Sequence, residues 1–520
     1  MSPAAIALLQ AQKGWDVVVS NPKEYETHLA DCEALIVRSA VKVRAETLAK
    51  APKLRVIGRA GVGVDNVDLN AATAAGVLVM NTPGGNAVSV AEHTFALMLA
   101  LARMVPAATA STTAGKWEKK KFLGNELRGK VLGVIGLGNI GQEVVRRARG
   151  FEMRVLASDP YVSAQTAANV GVELVPLERL LAESDYISLH VAKTPETVKM
   201  LNAAALAQMK NGVRIINCAR GELIDPAALA EALASGKVAG AGLDVFETEP
   251  PAGGDALLAA PNLIATPHIA GATEEAQEIV GIRIVEQMAE YLNNGIAINA
   301  VNMPAITPEQ YRAIGPYITL AERLGRFASH IATGNPLSMR ISYTGRIAGM
   351  NTALLRNSAL AGVLERALSS HVNFVNALQL AAQRGIGVSE SHAAGPAAVE
   401  GIRVDFETSA GVTSVSGAVV LDRARLLEVN GIRVEVPLAG RLIYMSNYDV
   451  PGVIGHVGSV LGKNDVNIAN FSLGREERTT ASGEALKAVA VVEVDSTVGE
   501  SVLNQLRSHA AVRFVSVVEL

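Results

Sequence analysis

Two cysteines, Cys32 and Cys218, are all the thiol chemistry in 520 residues. They are too few for a disulfide framework and lack metal-ligand spacing, so a reducing cytoplasm is the expected setting and no metal is expected. No apolar run reaches the ~18 residues that a membrane span needs. The first residues also lack the basic segment and apolar core of a secretory leader. A large charge of one sign is missing too: the net charge of −3 gives no overall attraction to nucleic acid or to an anionic membrane, so any basic site must be local. With 49% hydrophobic and 19% charged residues the chain is globular, and it is long enough for roughly three or four domains.

What is present centres on 130–159, KVLGVIGLGNIGQEVVRRARGFEMRVLASD. An apolar run, 131–135, turns at Gly136-Leu137-Gly138 and passes through Gly141 into a helical pattern before a second strand-like run, 154–158. This is a βαβ unit. Gly136 suits the tight turn, Gly138 lets backbone approach a pyrophosphate, and Gly141 lets helix pack on strand. Asp159 ends the second strand, where a carboxylate accepts from a ribose hydroxyl and repels a 2′-phosphate, which favours NAD over NADP.

Taken in order, 4–13 reads as a helix, followed by strand-like runs at 16–20, 34–39, 54–59 and 77–81. That alternation predicts a parallel sheet before the nucleotide unit begins. Glycine-rich turns at 61–66 and 82–86 lie just beyond strand ends, where open α/β sheets hold ligands. Residues 88–104 predict a long buried helix, and its Glu92-His93 pair is read as helix-surface or interface residues because no further ligand pair follows at i+4. The stretch GKWEKKKFLGNELRGK, 115–130, is the densest basic cluster. A charge run is usually a solvated face, but the interleaved Trp117 and Phe122 can pin it against a surface and aim Lys119 and Lys120 at a small anion.

Further αβ units run through 186–191, 213–217, 240–245 and 263–266, with tips rich in reactive residue types: His190, Asn217 to Gly221, Asp244 to Pro251, and Pro267 to Gly271. Oxidising a 2-hydroxy acid needs a cation to clamp the carboxylate, a base for the hydroxyl proton and a carboxylate to hold that base. Arg220, His268 and Glu249 suit these roles. Each alone is ordinary, an Arg in an ion pair, a capping His, a surface Glu before two prolines. Their recurrence at successive strand tips after a dinucleotide motif is not. A helix over 272–293 stops at Asn294-Gly295, 302–435 mixes helices with a new set of strands, and the last ~80 residues read as βαββαβ.

At these residues the sequence closely resembles the D-isomer-specific 2-hydroxyacid dehydrogenases, and among them the long, serine-biosynthetic form. The matching stretches are Ile36 to Ala40, Gly58 to Asp68, the nucleotide motif, Asn217 to Gly221, Asp244 to Pro251 and Pro267 to Thr273. The resemblance implies an α/β fold. A Rossmann-type doubly wound nucleotide domain (85–268) is inserted in a flavodoxin-like substrate domain (1–84 and 269–301), followed by an α+β intervening regulatory domain (302–435) and a ferredoxin-like ACT domain (436–520). It implies Arg220, Glu249 and His268 as catalytic trio. NAD contacts would come from Gly136, Gly138, Asn139, Ile140, Gly141, Asp159, Cys218, Ala219, Asp244, Ala270 and Gly271. Substrate contacts would come from Arg38, Ser39, Gly61, Val62 and Gly63, with Lys119 and Lys120 supplied by a neighbouring subunit.

The implied reaction is oxidation of 3-phospho-D-glycerate to 3-phosphooxypyruvate with NAD by a homo-oligomer, a dimer or tetramer. L-Serine would act as feedback effector at Asn447, Asp449 and Asn467, between two ACT domains. The alternatives are a dehydrogenase of another D-2-hydroxy acid and, from a different class, an NAD-sensing corepressor-like protein. One departure stands out: relatives place a strand ahead of the first helix, whereas Met1-Ser2-Pro3 leads directly into it, so the first sheet is expected to lack a strand and leave ladder groups unpaired.

Overall fold

The structure, a computed structural model, describes residues 1–304, 306–367, 372–396, 399–477 and 486–520. It divides into two compact units. One comprises Met1–Val17, Ala60–Val62 and Thr82–Val285, the other Val18–Arg59, Gly63–Asn81 and Glu286–Leu520. Among the described residues no single helix is long and apolar enough to cross a membrane.

In the second unit the chain first builds a small parallel sheet of β1 (Ala34–Val37), β2 (Val56–Arg59) and β3 (Leu78–Met80), in that order. The strand expected over 16–20 does not form. Val18 and Val19 stay 55% and 62% exposed, and β-branched residues hold a strand only where a neighbouring ladder exists. Asn302 closes the sheet's rear: its Oδ1 accepts from Val79 N at 2.9 Å and its Nδ2 donates to Val77 O at 2.9 Å.

The first unit is built on a seven-stranded parallel sheet. Its strands are β4 (Val131–Ile135), β5 (Arg154–Ser158), β6 (Glu173–Leu174), β7 (Tyr186–Leu189), β8 (Val213–Asn217), β9 (Val238–Leu243) and β10 (Leu263–Ala265). Their spatial order is β10-β9-β8-β7-β4-β5-β6. The order reverses between β4 and β7, a topological switch point that leaves a crevice beyond the strands' carboxyl ends. The long helix is Ala87–Arg103, ended by Met104 in the left-handed conformation (φ 52°). It buries Val90, Ala91, Thr94, Phe95, Leu97, Met98 and Leu101. Gly242 in β9 admits it closely, since a Cβ there would stand 3.0 Å from Leu97 Cβ. Each such buried leucine contributes about 1.5–3 kcal/mol by leaving water.

The remainder of the second unit holds two further sheets. The first comprises β11 (Pro336–Thr344), β12 (Gly387–Ala393), β13 (Gly401–Thr408), β14 (Gly411–Val420), β15 (Arg423–Val429) and β16 (Ile432–Pro437), ordered β12-β11-β13-β14-β15-β16. The last four strands are β17 (Arg441–Tyr448), β18 (Ile468–Arg475), β19 (Lys487–Val494) and β20 (Val512–Glu519). With helices Val453–Lys463 and Glu500–Arg507 they form βαββαβ, ordered β18-β19-β17-β20, as the sequence pattern predicts. Strand alternation here serves two cores. Ile443, Met445, Ala490 and Val492 face the small domain's own helices. Leu442, Tyr444, Val489, Val491 and Val518 join the core of the preceding region, where Tyr444 meets Phe327 edge-on at 5.9 Å.

Candidate active site

The glycine turn has the sterics its pattern predicts. Gly136 has φ 95°, and a Cβ there would stand 2.5 Å from His190 O; at Gly141 it would stand 2.1 Å from Gly136 O. Gly138 faces open space, with nothing within 4 Å of a Cβ, and serves as N-cap of helix Asn139–Gly150 without a side-chain cap. Backbone N–H groups at an uncapped helix start beside an open glycine fit a dinucleotide pyrophosphate. Asp159 is brought against this turn: its Oδ2 accepts from Leu137 N and its Oδ1 from Tyr161 N, both at 2.8 Å. Asp159→Ala should therefore weaken NAD binding and narrow the preference over NADP by about tenfold or more, the scale of one charge-assisted hydrogen bond. Kd values for both cofactors measure this, and a wild type preferring NADP would exclude the role.

The tips of β8, β9 and β10 stand in register. Asn217 pairs with Leu243, and Leu243 with Ala265. Arg220 and His268 each lie three residues beyond that row, on strands about 10 Å apart, two strand spacings. Arg220 is half-buried and donates to Ala219 O at 2.7 Å, while Asn217 Nδ2 donates to Arg220 O at 2.8 Å and shapes the turn. His268, at φ 54°, directs Nδ1 at Glu249 Oε2, 2.7 Å away. The other Glu249 oxygen accepts from Phe246 N at 3.1 Å. A carboxylate only accepts, so Nδ1 carries a proton, and Nε2 is the ring nitrogen that can act as a base when the ring is neutral. Both side chains stay solvent-accessible, 51% for His268 and 38% for Glu249.

Other expected contacts are buried. Cys218 lies in the core, and burial pushes its thiol up to about 12 despite the opposing effect of the Thr94 hydroxyl, so it is no nucleophile. His190 Nε2 meets Ser188 Oγ at 2.8 Å, and burial lowers its pKa to about 3, which leaves the ring neutral. Asp244, expected at the cofactor, has a fully buried carboxylate that also organises its own chain. Oδ1 accepts from Thr266 Oγ1 at 2.6 Å and from Ile269 N at 2.9 Å, and Oδ2 from Ala270 N at 2.8 Å. Burial alone would raise its pKa, but these bonds together with His93 hold it below the ordinary value.

Of the pair expected at the helix surface or an interface, His93 takes the interface place. It is 18% exposed, with Nε2 at 3.0 Å from Thr266 Oγ1, whereas its neighbour Glu92 does reach the surface and pairs with Arg147 at 3.0 Å. The sequence pattern assigned His93 no role at the site and did not point to Thr266, although a serine and a histidine four residues apart on an otherwise apolar face, Ser89 and His93, were a visible signal.

Elsewhere, Arg38 and Ser39 follow the carboxyl end of β1 and are exposed, and Gly61 (φ 147°) opens the turn after β2 and accepts from Thr82 N at 3.0 Å. In the basic segment Lys121 pairs with Glu118 at 2.6 Å and Lys119 lies 5.6 Å from the Trp117 ring. Trp117 does not pin the segment to its own chain, since it is 76% exposed, whereas Phe122 is half-buried. In the last domain Asp449 pairs with Arg475 at 3.2 Å and Asn447 is buried, donating to Tyr448 O at 2.7 Å. Asn467 bonds instead to Asp495. Since both Arg441 and Ile468 pair with Val494, Asn467 sits at the other end of the sheet, about 20 Å from Asn447 at ~3.4 Å per residue. One small ligand cannot touch all three within one chain.

Comparison with known proteins accords with this geometry. Residues 95–270 match the model of the D-isomer specific 2-hydroxyacid dehydrogenase NAD binding domain, 313–430 that of the D-3-phosphoglycerate dehydrogenase intervening domain, and 441–511 the ACT domain. The D-3-phosphoglycerate dehydrogenase of Archaeoglobus fulgidus is 44% identical over 85% of this chain and 84% of its own length. The chain belongs to the D-3-phosphoglycerate dehydrogenase family. The Bacillus subtilis member is 38% identical across 97% of this chain and 95% of its own. Among solved structures, the TT0316 protein of Thermus thermophilus aligns with TM-score 0.50 at 38% identity, covering 55% of this chain and 91% of that one. A D-3-phosphoglycerate dehydrogenase family chain with this NAD-binding domain is an NAD-dependent oxidoreductase, and its ligands are small molecules.

Proposed function

We propose that the protein oxidises 3-phospho-D-glycerate to 3-phosphooxypyruvate in the cytoplasm, as the entry step of serine biosynthesis. The observation that carries this reading is the 2.7 Å bond between Glu249 and His268 at the strand tips of an NAD-binding domain. In this reading His268 Nε2 removes the hydroxyl proton, Glu249 stabilises the resulting imidazolium through Nδ1–H, and Arg220 clamps the substrate carboxylate with two parallel N–H donors. Gly136 to Gly141 and Asp159 would hold NAD, which when bound would supply the hydride acceptor. The substrate domain, 1–84 with 269–301, contributes Arg38, Ser39 and the Gly61–Gly63 turn. Turnover with 3-phospho-D-glycerate, D-lactate and D-glycerate tests the assignment: preference for either unphosphorylated acid would make it a dehydrogenase of another 2-hydroxy acid, and no turnover of any would leave an NAD-sensing corepressor-like role.

The phosphate is read by Lys119 and Lys120, offered to a neighbouring subunit of a dimer or tetramer on a segment whose Trp117 is unburied in its own chain. Lysine suits phosphate as a point charge. Replacing both with Ala should raise KM for phosphoglycerate at least tenfold, at roughly 1.5 kcal/mol or more per charged hydrogen bond, and flatten its salt dependence. An unchanged KM would return the segment to a solvated face.

L-Serine is read as a feedback effector at the ACT domain. Because Asn467 lies at the far end of the sheet from Asn447 and Asp449, the ligand would sit between two copies, its carboxylate at the start of helix Val453–Lys463, and would act only through differential affinity for two states. Serine should inhibit the wild type, and Asn467→Ala should need about tenfold more of it at an unchanged basal rate, a shift within the usual range of coupling between sites. A wild type indifferent to serine would leave the domain structural.

A further inference from the structure

The helix Ala87–Arg103 and its N-cap Asn86 place Asn86, Ser89 and His93 on one side, at i, i+3 and i+7. All three face the segment that carries His268. Asn86 lies so close to Gly271 that a Cβ there would stand 2.7 Å from its Nδ2. Ser89 Oγ meets Thr273 Oγ1 at 2.8 Å, and His93 Nε2 meets Thr266 Oγ1 at 3.0 Å. The segment is therefore held at both ends, and Asp244 grips its middle. The Asp244 backbone carbonyl accepts from His268 N at 2.8 Å, and its carboxylate accepts from Ile269 N and Ala270 N.

The donors have only one consistent order. Asp244 accepts the single Thr266 hydroxyl proton at 2.6 Å, so Thr266 Oγ1 can only accept from His93, and Nε2 must carry a proton. A hydrogen-bond relay results, in which His93 Nε2–H donates to Thr266, Thr266 donates to Asp244, and Asp244 receives the two peptide N–H groups that follow His268. His268 itself has a left-handed backbone, sparsely populated for a non-glycine residue and sustained only where surrounding bonds over-determine it.

We propose that His93 is a positioning residue for proton transfer: through Thr266 and Asp244 it fixes the His268 segment so that the imidazole meets both Glu249 and the substrate hydroxyl. The proposal rests on the reading of His268 as the base. A side chain on a helix behind the sheet thus governs the geometry of a group it does not touch, and a misplacement of about 1 Å at a reacting group costs on the order of 10²-fold in rate.

The test compares His93→Ala, His93→Gln and Thr266→Val with His268→Ala. For each, kcat and KM for 3-phospho-D-glycerate, NAD binding by fluorescence titration and thermal melting are measured. His93→Ala and Thr266→Val should lose about 10- to 100-fold in kcat, with KM and NAD affinity within about threefold, the split expected when only transition-state geometry suffers. His93→Gln should recover most of the loss, because its amide N–H can replace Nε2–H. Histidine-selective nitrogen NMR of the parent should show the His93 Nε2 proton. The proposal is overturned if His93→Ala and Thr266→Val both keep kcat within about twofold, if folded His93→Gln is as impaired as His93→Ala, or if Nε2 is unprotonated. Should His93→Ala fail to fold, Thr266→Val and His93→Gln decide by the same criteria. Near-parental turnover in His268→Ala would remove the underlying acid–base reading, whereas an inactive His268→Ala beside a fully active His93→Ala removes only the role of His93.

Discussion

His268→Ala should turn over 3-phospho-D-glycerate roughly 10²–10⁴ times more slowly than the parent, the contribution of a positioned general base, while NAD affinity stays within a few-fold. The geometry separates the two effects. His268 meets Glu249 at 2.7 Å, whereas the nucleotide turn lies on the other side of the switch point, at β4 and β5. Glu249→Gln should lose less than His268→Ala, because the neutral amide still accepts from Nδ1–H but stabilises imidazolium poorly. Pre-steady-state NADH formation reads the chemical step directly, and a normal burst in His268→Ala would dismiss the mechanism.

Arg220→Ala should lower kcat/KM by about 10²–10⁴, since two charge-assisted hydrogen bonds to a carboxylate are worth roughly 1.5–3 kcal/mol each. Unlike the His268 substitution, this loss should fall on KM as well as kcat, because the clamp binds the ground state too. Arg220→Lys should recover little, since a lysine cannot present two parallel donors to one carboxylate. Part of the effect will come from the turn, because the substitution also removes the bond that the Arg220 guanidinium donates to Ala219 O at 2.7 Å. Circular dichroism and NAD titration on the same variant separate the two contributions. If KM for phosphoglycerate does not move, the clamp lies elsewhere.

The sequence alone determined what depends on neighbours along the chain. Gly136, Gly138 and Gly141 mark the turn by their spacing, although the atom that excludes a Cβ at Gly136 is the distant His190 O, and apolar periodicity predicts the long helix, observed at Ala87–Arg103. The alternation after Arg441 sets out βαββαβ because strand and helix periods differ within a few residues. Arg220, Glu249 and His268 could be singled out because each stands at a strand tip, a position that one-dimensional pattern encodes. Tertiary structure decided everything that depends on which tips become neighbours. The strand over 16–20 has the composition of a strand but no ladder to join. Asp244 looks like a crevice carboxylate, yet the segment 268–270 folds over it and takes up both its oxygens. His93 reads as a helix-surface or interface residue, and only packing of that helix on β9 supplies its partner, Thr266. Asn447 and Asn467, 20 positions apart in sequence, separate because antiparallel pairing through β19 sends them to opposite ends of one sheet. Periodicity carries the direction of a side chain relative to its own element, but hydrogen-bond partners from distant segments follow only from the order in which elements pack.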